Sequence, residues 1–90
     1  MERKEFFELA QKAAVYTRAF NDIQLKPVDH ALLVEYKGYA YYPSSITVGY
    51  DENGEVYNQA NLFGVGAFYV QQARLEDVRK YDPNGGAKLS

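Results

Sequence analysis

The sequence predicts an α+β fold, in which an N-terminal amphipathic helix packs on a small antiparallel sheet of about four strands arranged as two hairpins. The first observation is that apolar residues recur three and four positions apart over residues 2–23, which lines up one face of a helix. The second is that residues 31–61 alternate between apolar and polar side chains around two turn signals, as the strands of hairpins do. Ninety residues without a cysteine are expected to form one domain with no disulfide.

The helix is expected over residues 2–23, because no glycine or proline interrupts the chain before Pro27. The residues of its apolar stripe share the three-and-four spacing: Phe6, Leu9, Ala10, Ala13, Tyr16, Thr17, Phe20 and Ile23. We expect this stripe to cover the sheet face that carries Val34, Tyr41 and Val48.

The first predicted hairpin turns at residues 37–38. Residues 31–37 alternate as a strand does, and a two-residue Lys-Gly turn after them would set Val34 opposite Tyr41. Lysine is a poor residue for the positive φ that such a turn needs. Pro43 has no N–H to donate, so it is expected to limit the second strand.

The second predicted hairpin joins strands at residues 46–50 and 55–61 through the sequence Asp-Glu-Asn-Gly. We favour a type I turn with Gly54 in the left-handed region, forming a G1 bulge, over a two-residue Asn-Gly turn. The bulge register sets Tyr50 opposite Val56 and keeps apolar residues on one face.

The C-terminal third is less regular. Residues 67–81 are rich in residues that favour helix, and a helix is the favoured interpretation. The alternative is a fifth strand at 67–73 followed by a short helical turn. The sequence Asp-Pro-Asn-Gly-Gly then predicts that the domain comprises residues 1–83 and that 84–90 form a flexible tail.

Charge is unevenly distributed along the chain. The net charge is −2, but residues 29–66 carry Lys37 against five acidic residues, a net charge of −4. A protein surface that binds nucleic acid needs clustered basic residues, so direct nucleic-acid binding is not expected. A protein partner with a basic surface would complement this acidic segment. We expect no membrane span, because no run of about 18 apolar residues occurs. We also expect no signal peptide, because no apolar stretch follows the charged N-terminus, and hence a cytoplasmic protein.

Tyrosine is unusually frequent, with nine in ninety residues. Tyrosine is a good strand former, but it is also enriched at protein interfaces because its ring is apolar and its tip polar. Alternation along the strands assigns four tyrosines to the core face: Tyr36, Tyr39, Tyr41 and Tyr50. In the bulge register two more lie on the outer face among acidic residues. That outer face and the adjoining turn form the predicted partner-binding site: Tyr42, Tyr57, Glu35, Asp51, Glu52 and Glu55.

The sequence offers little for catalysis or metal binding. Asp29 and His30 would supply half of an acid–base device, with Ser44 or Ser45 as nucleophile, but nothing in the sequence brings these residues together. Residues 51–62 do not fit an EF-hand loop, because glycine is fourth and the twelfth residue is a leucine. We therefore expect no enzyme activity, no metal and no cofactor.

These patterns favour a small non-enzymatic interaction protein that binds another protein through its acidic, tyrosine-bearing face. Its size and lack of a catalytic set are typical of accessory proteins of phages, plasmids and other mobile elements. Three alternatives remain open. The protein could be an inhibitor, for example an anti-defence or anti-CRISPR protein, that occupies the basic groove of a host nucleic-acid-binding effector. It could be a structural homo-oligomer, such as a homodimer, or a small hydrolase that uses Asp29 and His30.

Overall fold

The computed structural model describes residues 1–18, 27–66 and 69–90. Within these residues the fold is α+β, as predicted, with one α-helix packed on a six-stranded sheet. The elements follow in chain order, with 3₁₀ turns at His30–Leu32 and Leu75–Asp77: α1 (Arg3–Arg18), β1 (Val34–Tyr36), β2 (Tyr39–Tyr50), β3 (Val56–Gly64), β4 (Val70–Arg74), β5 (Arg79–Lys80) and β6 (Lys88–Leu89).

The topology of the sheet brings its two edges toward each other. Its antiparallel strands lie in the order β4-β3-β2-β1-β5, and β6 adds in parallel to the start of β2. In a flat sheet β4 and β5 would lie four strand spacings apart, about 19 Å. The link from Arg74 to Arg79 reaches at most about 18 Å when extended, and a 3₁₀ turn shortens it. The two edges are therefore drawn toward each other.

One side of the sheet holds the first core cluster. It combines the helix with four strands and the second 3₁₀ turn: Phe6, Ala10, Val34, Tyr41, Ala60, Leu62, Ala73, Leu75 and Val78. A second cluster covers the other side of the sheet near β1 and the start of β2: Ala13, Leu32, Leu33, Ala40, Tyr42, Phe63 and Val65. Leu9 packs against both clusters.

The expected helix packing is confirmed in part. Phe6 joins Val34 and Tyr41 in the first cluster, but Val48 is 61% exposed. Residues 19–23 of the expected helix lie outside the described residues.

Both predicted turns are confirmed. Lys37 (φ 49°) and Gly38 (φ 83°) form the two-residue turn that sets Val34 opposite Tyr41. In the second turn Gly54 has φ 77° and its N–H donates to the Asp51 carbonyl at 3.0 Å. Strand β3 pairs with β2 in the bulge register, with Tyr50 opposite Val56, so the rival Asn-Gly turn is wrong.

The expectation that Pro43 limits the second strand is wrong. β2 is 12 residues long and continues through Pro43 to Tyr50. The pairing with β3 shifts between Pro43 and Ser45, which leaves Ser44 as the extra residue of a β-bulge. A bulge is one of the few places in a sheet where a residue without an N–H fits.

The favoured helix at 67–81 is also wrong over residues 69–81, where the alternative is correct: β4 is followed by a 3₁₀ turn and then by β5. Residues 67 and 68 of this segment lie outside the described residues. Burial of Ala73, Leu75 and Val78 in the core outweighs the helical preference of the segment. The C-terminal segment differs from the expected tail, because Lys88–Leu89 form β6 and the Ser90 N–H donates to the Ala40 carbonyl at 3.1 Å.

Candidate functional site

Tyr42 is not an exposed ring, which corrects the predicted site. Its side chain is 1% exposed and stacks on Tyr16 with 4.7 Å between ring centroids. Its hydroxyl accepts a hydrogen bond from the Asp29 N–H at 3.3 Å. Burial raises the pKa of the Tyr42 phenol. The outer face of the sheet is covered here by α1 and the second core cluster, so Tyr42 has a structural position.

Glu35 is a second correction, since only 9% of it is exposed. One carboxylate oxygen accepts the Asp82 N–H at 2.9 Å. The other lies 3.8 Å from the guanidinium of Arg79, which is itself largely exposed. Glu35 therefore ties β1 to β5 and to the segment that follows it, and it is not part of an open acidic surface.

The outer part of the β2–β3 hairpin, residues 46–58, forms an arm beyond the bulge. Val48, Tyr50 and Val56 are 61%, 68% and 65% exposed, although alternation had assigned Val48 and Tyr50 to the core. Tyr39, also assigned to the core, is 45% exposed at the other end of β2. Val48 and Tyr50 are exposed because α1 does not extend along the arm: Arg3, at the start of α1, lies level with Val48.

The position of Arg3 is set by one contact. Its Nη1 donates to the Asn58 side-chain oxygen at 3.2 Å, and Asn58 lies opposite Val48 in the sheet. Tyr50 and Val56 lie one pair of residues further out on the same face. Before α1, the Met1 amino group donates to the Leu75 and Val78 carbonyls at 3.2 and 2.7 Å, and Tyr50 and Val56 remain exposed.

An apolar strip runs along this face of the arm and onto the helix. Ile46, Val48 and Tyr50 alternate along one face of β2, and Val56 joins them from β3. Phe7, 57% exposed, lines a cavity of about 410 Å³ between α1 and β2 together with Ile46. We call these five residues the apolar strip. This strip was not predicted from the sequence. A signal was present: hydrophobic residues flank the turn of this hairpin, and a turn is the part of a hairpin that lies furthest from the core.

The predicted acidic residues of the turn do lie together at the tip of the arm; we call Asp51, Glu52 and Glu55 the acidic turn. The Asp51 carboxylate accepts the N–H groups of Asn53 and Glu55, both at 2.9 Å, and so holds the turn in shape. Glu52 and Glu55 are exposed, and within the described residues neither forms an ion pair.

Tyr57 lies on the opposite face of the arm from the strip, and its ring is half-buried. The Arg74 guanidinium stacks on the ring, 4.0 Å from its centroid. The same face carries a hydrogen-bonded set of polar side chains in which Asn61 Nδ2 and Gln59 Nε2 both donate to Thr47 Oγ1, at 3.1 and 3.2 Å. Tyr57 is therefore on the outer face as predicted, but the structure does not join it to Tyr42.

The hypothetical acid–base residues do not share a site in this structure. Ser44 and Ser45 line the cavity beside α1. His30 instead lies against Tyr81, with 5.9 Å between ring centroids, and the Asp29 carboxylate caps the first 3₁₀ turn by accepting the Ala31 N–H at 3.1 Å.

Across residues 1–18, 27–66 and 69–90, no group of three or more histidine, aspartate or glutamate residues could hold a metal ion, and no helix is long and apolar enough to cross a bilayer. Comparison with protein-family models, with curated proteins and with solved structures finds no match to this chain.

Proposed function

We propose that this protein is a non-enzymatic interaction module that binds another polypeptide through the arm. The observation that carries the proposal is the exposure of Val48, Tyr50 and Val56, which lie side by side on one face at 61%, 68% and 65%. Scattered apolar residues are normal on a protein surface, but a contiguous apolar patch with a polar rim is typical of an interaction site.

The chemistry of the arm supports a binding role for each part of it. Tyr50 offers a large ring with a polar tip, the kind of side chain that anchors interfaces. Val48 and Val56 flank it and would exclude water around the anchor. Glu52 and Glu55 at the rim would steer the module toward a partner with basic residues beside an apolar contact surface.

The arm is also ordered for binding before a partner arrives. The Asp51 carboxylate fixes the turn through two hydrogen bonds of 2.9 Å. On the far face, the side-chain network through Thr47, Gln59 and Asn61 links the two strands. A contact surface that is already rigid loses less conformational entropy on binding, which favours affinity.

The proposal is tested by site-specific photo-crosslinking in extract of the source cells. A photoreactive amino acid replaces Tyr50 or Val56 in two variants, and it replaces the exposed Lys80 or Asn84 in two controls. We expect a specific protein adduct at positions 50 and 56, and not at 80 and 84. The adduct should weaken when Glu52→Lys and Glu55→Lys are added, because the steering charge is then reversed. Adducts of equal strength at all four positions, or none at the arm, would contradict the proposal.

A further inference from the structure

Two basic residues beside the apolar strip, Arg3 and Lys4, lie at the start of α1. Arg3 and Phe7 are four residues apart and so share one side of the helix, and together with Lys4 they line one surface cavity. Glu5 lies two residues from Arg3 and therefore points to another side. We call Arg3 and Lys4 the basic flank. Lys4 is exposed, and within the described residues neither member of the flank forms an ion pair.

The order of charges along the arm is basic, apolar, acidic. Arg3 is held at Asn58 by its hydrogen bond of 3.2 Å. Tyr50 and Val56 come next, and the acidic turn lies at the tip. Three residues along β3 separate Asn58 from Glu55, about 10 Å, and within one copy the flank and the acidic turn form no ion pair.

We propose that the partner of the arm is a second copy of this chain, in a two-fold dimer in which the apolar strips face each other and each acidic turn meets the basic flank of the other copy. This inference rests on the function proposed above, for which it names the partner.

A two-fold axis makes this surface complementary to itself. In such a dimer the same patch is used on both copies, so each contact between the patches occurs twice. An axis near Tyr50 and Val56 reverses the order of charges on the second copy, so that basic faces acidic at both ends. A different partner would have to reproduce that order, which this chain already carries.

The apolar strip supplies the attraction in this dimer, and the charges supply its orientation. Exposed ion pairs each contribute little to affinity, whereas burying apolar side chains contributes most of it. The charges at the rim disfavour a parallel arrangement of the two arms. That arrangement would set Glu52 and Glu55 against the same acidic residues of the other copy, and like charges repel.

A charge-swap experiment on the full chain tests the dimer. Sedimentation velocity over a range of concentrations gives the dimerisation constant of the wild type, of Glu52→Lys/Glu55→Lys and of Arg3→Glu/Lys4→Glu. We expect the wild type to dimerise and each double variant to dissociate at least about tenfold more readily, because both rims of its dimer become like-charged. Mixing the two variants in equal amounts should restore dimerisation, since both rims of the mixed dimer again pair opposite charges.

Matched controls separate orientation from net charge and from folding. Glu5→Lys/Asp77→Lys changes the net charge by the same amount as Glu52→Lys/Glu55→Lys, but at exposed positions away from the arm and the basic flank, and it should leave the dimerisation constant nearly unchanged. Tyr50→Ser should abolish the dimer while circular dichroism shows an unchanged fold. A wild type that is monomeric up to its solubility limit would overturn the inference, as would a dimer that no change in the arm affects. A monomer that still forms adducts with a different protein at position 50 would overturn this inference alone and leave the proposed function standing.

Discussion

At the scale of single residues, Gly49 has a packing role that its sequence neighbourhood does not reveal. It lies opposite Tyr57 in the sheet, and a β-carbon built on it would overlap the Tyr57 ring. The ring therefore crosses the backbone of β2 where there is no side chain, and Arg74 stacks on the ring, 4.0 Å from its centroid. Glycine usually weakens a strand, and here it makes room for this stack.

We expect Gly49→Ala to destabilise the protein by about 1–3 kcal/mol, because the added methyl group displaces the Tyr57 ring. The free energy of unfolding from urea titration measures the effect. In a Tyr57→Ser background the ring is gone, so the same change should be nearly neutral or slightly stabilising. An equal cost in both backgrounds would show that Tyr57 does not impose the glycine.

At the scale of elements, β6 completes the sheet where β3 stops pairing with β2. Lys88 N–H donates to the Gly38 carbonyl at 3.0 Å, and Ser90 N–H donates to that of Ala40 at 3.1 Å. Ser90 also accepts the N–H groups of Gly66 and Val65, through its carbonyl at 2.8 Å and its hydroxyl at 2.9 Å. A two-residue strand thus connects the first hairpin with the end of β3.

Ending the chain at Ala87 should lower the free energy of unfolding by about 1–3 kcal/mol, because these hydrogen bonds between separate elements are lost. Chemical denaturation compares the shortened chain with Lys88→Ala/Leu89→Ala, which keeps the backbone bonds of β6. We expect most of the loss only in the shortened chain. If both variants unfold at the same denaturant concentration, the strand pairing is not what stabilises this edge.

At the scale of the whole molecule, two tyrosine hydroxyls lie in or beside the packed core. Tyr41 is 5% exposed, and its ring meets that of Tyr69 edge-on with 6.1 Å between centroids. Burial, followed by a hydrogen bond with Tyr69 and the nearby tyrosine charges, raises the pKa of Tyr41 to about 12. Burial also raises the pKa of Tyr42. The fold is therefore coupled to the protonation of these phenols.

Stability should accordingly fall at alkaline pH. In the unfolded chain a tyrosine releases its proton near pH 10, whereas Tyr41 in the folded protein keeps its proton until about pH 12. The folded state then binds more protons between these values, and the free energy of unfolding decreases as pH rises through them. Urea denaturation at a series of alkaline pH values measures this slope.

Tyr41→Phe is the informative variant for this prediction, and Tyr50→Phe, at an exposed ring, is its matched control. The slope should be shallower in the first variant and unchanged in the second. A slope that is the same in all three proteins would assign alkaline unfolding to other groups.

The sequence by itself determined the features that depend on neighbouring residues. The apolar period of α1, the Lys37-Gly38 turn and the bulged turn at Gly54 were all predictable, because backbone preference and side-chain spacing act over a few residues. The place of the acidic turn at a hairpin tip, and that of Tyr57 on the outer face, followed from the same register.

Only the tertiary structure decided which faces are covered. Alternation assigns a residue to a side of a strand, but it does not show how far the neighbouring elements extend along that side. Tyr42 is buried because α1 and the second core cluster reach it, and Tyr50 is exposed because α1 begins level with Val48. The described part of the 67–81 segment, residues 69–81, forms strands and a 3₁₀ turn because core burial outweighs helix propensity. The proposed contact surface is therefore a consequence of helix position relative to strand length, which no local pattern encodes.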